Sequence, residues 1–334
     1  MIGRYRKIMF GAGALVIAAC SSALPEATDG TQPIIPLTTP DGAITDASQS
    51  GDSEASTAHD GGLDGGGDAE AGPPVYEAGP SLCNPSMTLS GDTLLSASTA
   101  SEDRFGAITP DELTIAWMVP TAGDGTVHVA DRATAGDPFS AAQTLPGVAA
   151  VDELALSPEG LRVTAVAADR RSFLLFERAS KGDAFAAVSA DAFDALLAAL
   201  GPAEKLGDPV VGFGEQVLVY SVFGTADTAT VRLATRLSTG SPWSVGGKLD
   251  YPELRAQGTQ RRRPTGVGSD FATLFYWDEV DATQKIAQMK GTIGFFSVHT
   301  LGAHRFAQPN AACTRVYYSF AGAAGLDLGS ANAN

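Results

Sequence analysis

From Cys83 to Phe320 the apolar and polar positions fall into short alternating runs separated by turn residues, the period-two signature of half-buried strands. Thr109-Pro110-Asp111-Glu112-Leu113 leads into Thr114-Ile115-Ala116-Trp117, and 48 residues later Ser157-Pro158-Glu159-Gly160-Leu161 leads into Arg162-Val163-Thr164-Ala165. Each predicted strand is followed by a hairpin and a second strand, Val127 to Ala130 and Phe173 to Phe176, that ends on Arg132 and Arg178. Seven residues past each arginine stands an aromatic, Phe139 and Phe185, in the turns Gly-Asp-Pro-Phe and Gly-Asp-Ala-Phe. A third copy has strands at Val217 to Val222 and Thr230 to Ala234, then Arg236 and Trp243 at the same spacing. A fourth has Thr273 to Trp277 and Lys285 to Met289, with Phe296 seven past Met289 and the arginine lost. Arg315-Val316-Tyr317-Tyr318-Ser319 has the form of a fifth first strand, whose partner is expected from the segment around Met87 to Ala97.

A period near 46 residues built from short strands predicts an all-β protein, a β-propeller of about five or six degenerate blades over residues 81–334. The alternative is an irregular β-sandwich. The gap between the second and third arginines is longer than the first and holds Ala190 to Leu200, an Ala- and Leu-rich run between Ser189 and Gly201. This predicts a short capped helix inserted between blades, with Phe193, Leu196, Leu197 and Leu200 packed on the propeller. The Ser-Pro-Glu-Gly-Leu turn, its Thr-Pro-Asp-Glu-Leu counterpart and the Arg-x6-aromatic spacing resemble the TolB-like propeller repeat, over nearly the whole globular part. That resemblance implies a protein-interaction or scaffold module without catalysis.

The first twenty residues differ in kind. Arg4, Arg6 and Lys7 precede an apolar run from Ile8 to Ala19, which is too short to cross a membrane as a helix and has the form of a secretory signal. Ile17-Ala18-Ala19-Cys20 resembles the bacterial lipobox, which implies cleavage between Ala19 and Cys20 and acylation of Cys20. By the same resemblance Ser21 implies the outer membrane, facing the periplasm or the cell surface, with the membrane engaged through the lipid. The acyl chains would anchor the chain stably.

Residues 21–80 are Gly, Ala, Ser, Thr, Asp and Pro with eleven acids and no Lys or Arg. Such a segment cannot bury enough apolar surface to offset its ordering entropy, and it is expected to be a disordered acidic tether. The run from Gly61 to Asp68 lacks the ligand spacing of a calcium loop. Three of the 22 Lys and Arg lie in the signal, leaving 19 bases against 38 acids, which argues against nucleic acid as a partner. An envelope protein is the expected partner, and the oligomeric state is open. Cys83 and Cys313 remain after Cys20; they are either bridged or free thiols, and an oxidising compartment favours a bridge that ties the start of the domain to its last blade.

Candidate chemistry is sparse. His59, His128, His299 and His304 are scattered without metal-ligand grammar, and no nucleophile elbow, phosphate loop or dinucleotide fingerprint is present. No cofactor or metal is expected. Asp278, Glu279 and Asp281 cluster in one hairpin loop and read as a solvated acidic loop rather than a calcium site. Arg261, Arg262 and Arg263 form the only basic run of the globular part, read as a solvated loop or as a grip for an anionic ligand. Glycan binding, or a glycoside-active enzyme using carboxylates in the propeller channel, is the alternative function.

Overall fold

The computed structural model describes residues 82–334 apart from 121–124, 148–150, 152, 213, 225–228, 250–253, 256–259, 270–271, 291–293 and 323–324. The lipobox at Cys20, the tether and His59 lie outside the described residues.

Five four-stranded antiparallel sheets make five blades. The N-terminal strand β1 (Leu89–Leu94) stands apart in sequence from the blade it joins. Blade one is β2 (Arg104–Ile108), β3 (Thr114–Pro120), β4 (Gly125–Asp131) and β5 (Gln143–Thr144). Blade two is β6 (Leu154–Leu156), β7 (Arg162–Val166), β8 (Phe173–Glu177) and β9 (Ala186–Val188). Blade three is β10 (Lys205–Gly212), β11 (Val217–Phe223), β12 (Ala229–Thr235) and β13 (Ser244–Lys248). Blade four is β14 (Arg262–Val267), β15 (Thr273–Asp278), β16 (Thr283–Lys290) and β17 (Gly294–Gly302). Blade five runs in space β18 (Arg305–Pro309), β19 (Arg315–Ala321), β20 (Leu326–Ala333), then β1.

The innermost strands β2, β6, β10, β14 and β18 neighbour one another in a closed cycle around the channel. The core lies between blades rather than inside one mass, in five clusters that each join two adjacent blades. Leu156 and Val163 of blade two meet Val127 and Val129 of blade one, for example, while Phe105 and Ile115 of blade one meet Tyr317 and Leu328 of blade five. The predicted strands are present within two residues at each end, apart from the first, which runs three residues beyond Trp117 to Pro120. The N-terminal segment does complete the last blade, but it pairs with β20 and not with β19, whose second neighbour is β18. The blade borrowed from both chain ends closes the ring, so the sheet edge that would otherwise invite pairing is covered. The Cys83–Cys313 disulfide, with Cα atoms 5.1 Å apart, ties that N-terminal segment to the turn between β18 and β19.

The predicted helix is a 3-10 turn, Asp191–Phe193, running into α1 (Asp194–Ala198). Its start has no side-chain cap of the expected kind; Ser189 Oγ instead accepts from the Asp191 N–H at 3.3 Å, and Ala190 is the first cap residue. Phe193 and Leu196 are buried between blades two and three, Phe193 at 4.6 Å from the Phe173 ring and 6.1 Å from Trp243. Packing is therefore the role of this insertion.

The repeated turn motif has a structural reason. Ser157 Oγ accepts from the Leu161 and Arg162 N–H groups, and Gly160 takes φ +73°. Thr109 Oγ1 does the same for Leu113 and Thr114, with Glu112 at φ +64°. Asn310 Oδ1 repeats the pattern for Thr314 and Arg315, with Cys313 at φ +54°. The fifth unit thus carries the same turn under different residues.

Candidate functional site: the two ends of the channel

The channel ends differ because the innermost strands begin at one end and finish at the other. The finishing end is lined by Ile108, Leu156, Val211, Val267 and Pro309 and is largely apolar. The beginning end opens into a cavity of about 350 Å³ walled by residues of all five blades, including Arg104, Glu153, Arg170, Asp208, Arg261, Arg263, Arg305 and Phe306.

Backbone irregularity aims these side chains. Four of the five innermost strands carry a β-bulge against their neighbour, at Gly106, at Asp208 and Pro209, at Thr265, and at Phe306 and Ala307. Bulges redirect side chains and recur beside functional sites. Asp208 and Phe306 sit at φ +48° and +60°, a conformation costly for residues other than glycine and sustained only when the surroundings enforce it. Gly207 cannot carry a side chain: a Cβ there would lie 2.5 Å from the Phe223 ring and 2.8 Å from Glu153 Oε2.

The charges at this mouth interlock across blades. Glu153 of blade two accepts from Arg263 Nη2 of blade four at 2.6 Å and from Arg170 Nη1 at 3.1 and 3.0 Å, and also takes the Asp208 N–H at 2.8 Å. Asp208 of blade three accepts from Arg263 Nε at 2.6 Å. Arg261 pairs with Glu279, and Arg104 with Glu102 at 2.9 Å. Burial and the neighbouring Asp208 charge push the Glu153 carboxyl up, against the pull of Arg263 and Arg170. Burial opposes the charge of Arg263, but Asp208 and Glu153 outweigh it and hold the guanidinium firmly protonated.

Aromatic faces hold the same arginines. Phe223 lies between Arg261 at 4.5 Å and Arg170 at 5.5 Å from its ring centre. Arg263, Phe306, Trp277 and Arg305 form a second stack, with successive separations of 5.1, 6.4 and 5.4 Å. Stacking occupies the guanidinium face and leaves its in-plane N–H groups available.

The basic run is consequently not a solvated loop. Arg262 and Arg263 belong to β14; Arg261 and Arg263 reach the mouth, whereas Arg262 is buried with Asp278, 3.1 Å away, outside it. The acidic cluster is not a free loop either. Asp278 is buried and pairs with Arg262 and Lys285, Glu279 with Arg261, and Asp281 with Lys285. Among the described residues no group of His, Cys, Asp and Glu is arranged to hold a metal. His128 stacks on Trp117 at 5.4 Å and bonds Thr126, with burial lowering its pKa. His304 meets the edge of Tyr318 and the Leu301 carbonyl, and His299 sits half-buried in β17. Sequence reasoning missed Glu153, Asp208, Arg170 and Arg305, since no spacing marks residues that converge only when the ring closes.

The repeated arginines serve the opposite end. Arg132, Arg178 and Arg236 donate from Nε to the Glu112, Gly160 and Glu215 carbonyls at 2.6, 2.9 and 2.6 Å, and stack on Phe139, Phe185 and Trp243 at 4.4, 4.6 and 4.4 Å. Each also links to the preceding blade: Arg132 to Tyr317, Arg178 to both oxygens of Asp131, and Arg236 through Glu215 to Arg162.

No family model and no curated protein sequence matches the chain. Among solved structures it is similar to TolB from Acinetobacter baumannii, at 11% identity and TM-score 0.41 over 71% of this chain. The chain spans 56% of the length of that TolB. It is also similar to a mutant of AofleA from Arthrobotrys oligospora (13%, TM-score 0.40, 69% of this chain and 68% of that one) and to the WD40 repeats of RRP9 (9%, TM-score 0.41, 73% and 97%). These likenesses are remote, and it is the chain's own sheet topology, five four-stranded blades with β1 completing the last, that makes it a β-propeller.

Proposed function

We propose that this protein is a lipid-anchored envelope protein whose propeller is a non-catalytic binding module, engaging a protein partner at the mouth where the innermost strands begin. The supporting observation is the pairing inside that mouth. Glu153 and Asp208, the buried carboxylates an acid–base mechanism would need, are each tied to arginine, Glu153 to Arg170 and Arg263 and Asp208 to Arg263. A hydrolase acid and base need a carboxyl free to exchange a proton with substrate. Described residues of all five blades line that mouth, so a bound partner would be held by the whole ring. The lipobox resemblance at Cys20 and the long acidic segment after it support an anchored module held off a membrane.

The test uses the chain as bait against an envelope extract, read by mass spectrometry against a boiled-bait control. One reproducible protein partner, lost when Arg263 is replaced by Gln, supports the reading; a partner retained by that variant, or a blank, sinks it. Metabolic labelling with a palmitate analogue tests the anchor, and label persisting in Cys20→Ser refutes it. A glycan reading draws on one observation, the half-buried Phe306 ring at the mouth. Sugar turnover abolished by Glu153→Gln would establish it in place of the first.

A further inference from the structure

The mouth carries more positive charge than its carboxylates use. Five arginines wall the cavity against three carboxylates, Glu102, Glu153 and Asp208. Glu279, outside the wall, takes up Arg261. Arg305 has no ion-pair partner among the described residues, and its guanidinium is placed by the Trp277 ring alone. This local excess stands in a chain of net charge −16, so it runs against the charge of the molecule as a whole.

The arrangement is costly for stability. Burying ions forfeits hydration that their mutual attraction rarely restores in full, and apolar residues of similar volume would stabilise the channel as well or better. The pairs instead fix Arg263 and Arg170, while two cation–aromatic stacks fix Arg261 and Arg305. Four guanidiniums are thereby set in place before any ligand arrives, and pre-placement lowers the ordering entropy that binding must overcome. A guanidinium fork matches a carboxylate or phosphate in two parallel hydrogen bonds. The cavity volume lies at the small end of the range for solute sites.

We infer that the mouth is a binding site for a compact anion, a carboxylate or phosphate group on a small solute, received by the in-plane donors of Arg305 with Arg104 and Arg261 around it. The site belongs to the same mouth as the proposed partner but does not depend on that partner being a protein. Glu153 and Asp208 keep the remaining arginines in place, and the anion neutralises the charge they leave uncompensated.

The test is isothermal titration of the intact, disulfide-bonded protein at low ionic strength with three probes: sodium phosphate, sodium glucuronate and neutral glucose. Saturable binding of phosphate, of glucuronate or of both, with none of glucose, is the expected result. Phosphate alone would identify a phosphoryl group as the ligand chemistry, and glucuronate alone a sugar acid. Arg305 is exposed, so Arg305→Gln should fold unchanged by circular dichroism while binding weakens about tenfold, the loss expected for one charge-assisted contact. Arg104→Gln serves as a second variant, with a weakening in the same direction. Failure of both anions to bind, glucose binding as well as they do, or affinity indifferent to both substitutions would overturn the inference.

Discussion

Arg178 offers the sharpest test of how the ring is held closed. Its side chain is 0% exposed and bridges blades one and two: Nη1 and Nη2 grip Asp131 at 2.6 and 2.7 Å, Nε donates to the Gly160 carbonyl, and the plane stacks on Phe185. Arg178→Gln removes the charge and the fork. Breaking a buried ion pair from one side costs about 3 to 5 kcal/mol, because the other charge is stranded. Asp131 is not wholly stranded: it remains 18% exposed and keeps hydrogen bonds from Thr114 Oγ1 and the Gly182 N–H. That places the loss near the lower bound, about 3 kcal/mol, with the Gly160 carbonyl and the lost stacking included. Urea unfolding of wild type, Arg178→Gln, Asp131→Asn and the double variant measures it. The double variant should lose less than the sum of the singles by about 1 kcal/mol or more, as expected for groups in direct contact. Arg315→Gln is the control: its longer pair with Glu112, 3.3 Å with the Arg315 side chain 37% exposed, should cost less than Arg178→Gln, about 1 kcal/mol. A single Arg178→Gln variant as stable as wild type, or strictly additive energies, would refute the clamp.

Three further outcomes follow from the same geometry. Reducing the Cys83–Cys313 bond, which spans 230 residues of sequence, should lower stability by about 5 kcal/mol on the chain-entropy account, read as a drop in melting temperature with reductant that Cys83→Ser/Cys313→Ser reproduces without it. Phe193→Ala should cost about 3 to 5 kcal/mol by opening a cavity between blades two and three, and an unchanged urea midpoint would mean the insertion is mere decoration. Burial alone would raise the Asp131 carboxyl, but its bonds from Arg178 and Thr114 outweigh that and hold it below the ordinary value of 3.8. The folded state therefore binds this proton less readily than the unfolded one. The resulting stability is fully present above pH 3.8 and fades as pH falls below it, a slope that Asp131→Asn should flatten.

The second strands were legible as short apolar runs set off by turn residues, though they are buried on both faces and not on alternate positions as expected, and the innermost strands were not legible. The innermost strands read Arg-Phe-Gly-Ala-Ile, Lys-Leu-Gly-Asp-Pro-Val-Val-Gly, Arg-Arg-Pro-Thr-Gly-Val and Arg-Phe-Ala-Gln-Pro. Bulges, prolines and buried charges erase the period-two signal in them, and those same irregularities build the mouth. The Arg-x6-aromatic spacing marked the register, yet its meaning lay in a backbone carbonyl about 20 residues upstream that no spacing rule names. Arg263 read as solvated because its counter-charges are distant in sequence, Asp208 and Glu153 standing 55 and 110 residues away, while Arg261 and Arg262 pair with Glu279 and Asp278 of the acidic hairpin across the β14–β15 register. The fifth turn escaped notice because Asn310 replaces the Ser or Thr and Cys313 the left-handed Gly or Glu.

Two sets of arginines thus sit at opposite ends of the channel, one around the innermost strands and one just past the third strands, with opposite roles. At the finishing end Arg132, Arg178 and Arg236 each spend their donors on a neighbouring turn and link to the preceding blade, so little is left for a ligand. The clamp position, bonded back by its N–H to the residue that precedes the second strand, falls in blade five to Ala333, whose N–H bonds the Thr314 carbonyl and whose methyl group cannot bridge. The disulfide sits in the turn of blade five, Cys313 occupying the very position that Gly160 and Glu112 hold elsewhere. A covalent tie therefore appears where the ionic one has been lost, at the same end of the ring. The other end is held across blades by Glu153, Asp208 and Arg263, and it is there that the bulges of the innermost strands and a guanidinium without a described counter-charge are found.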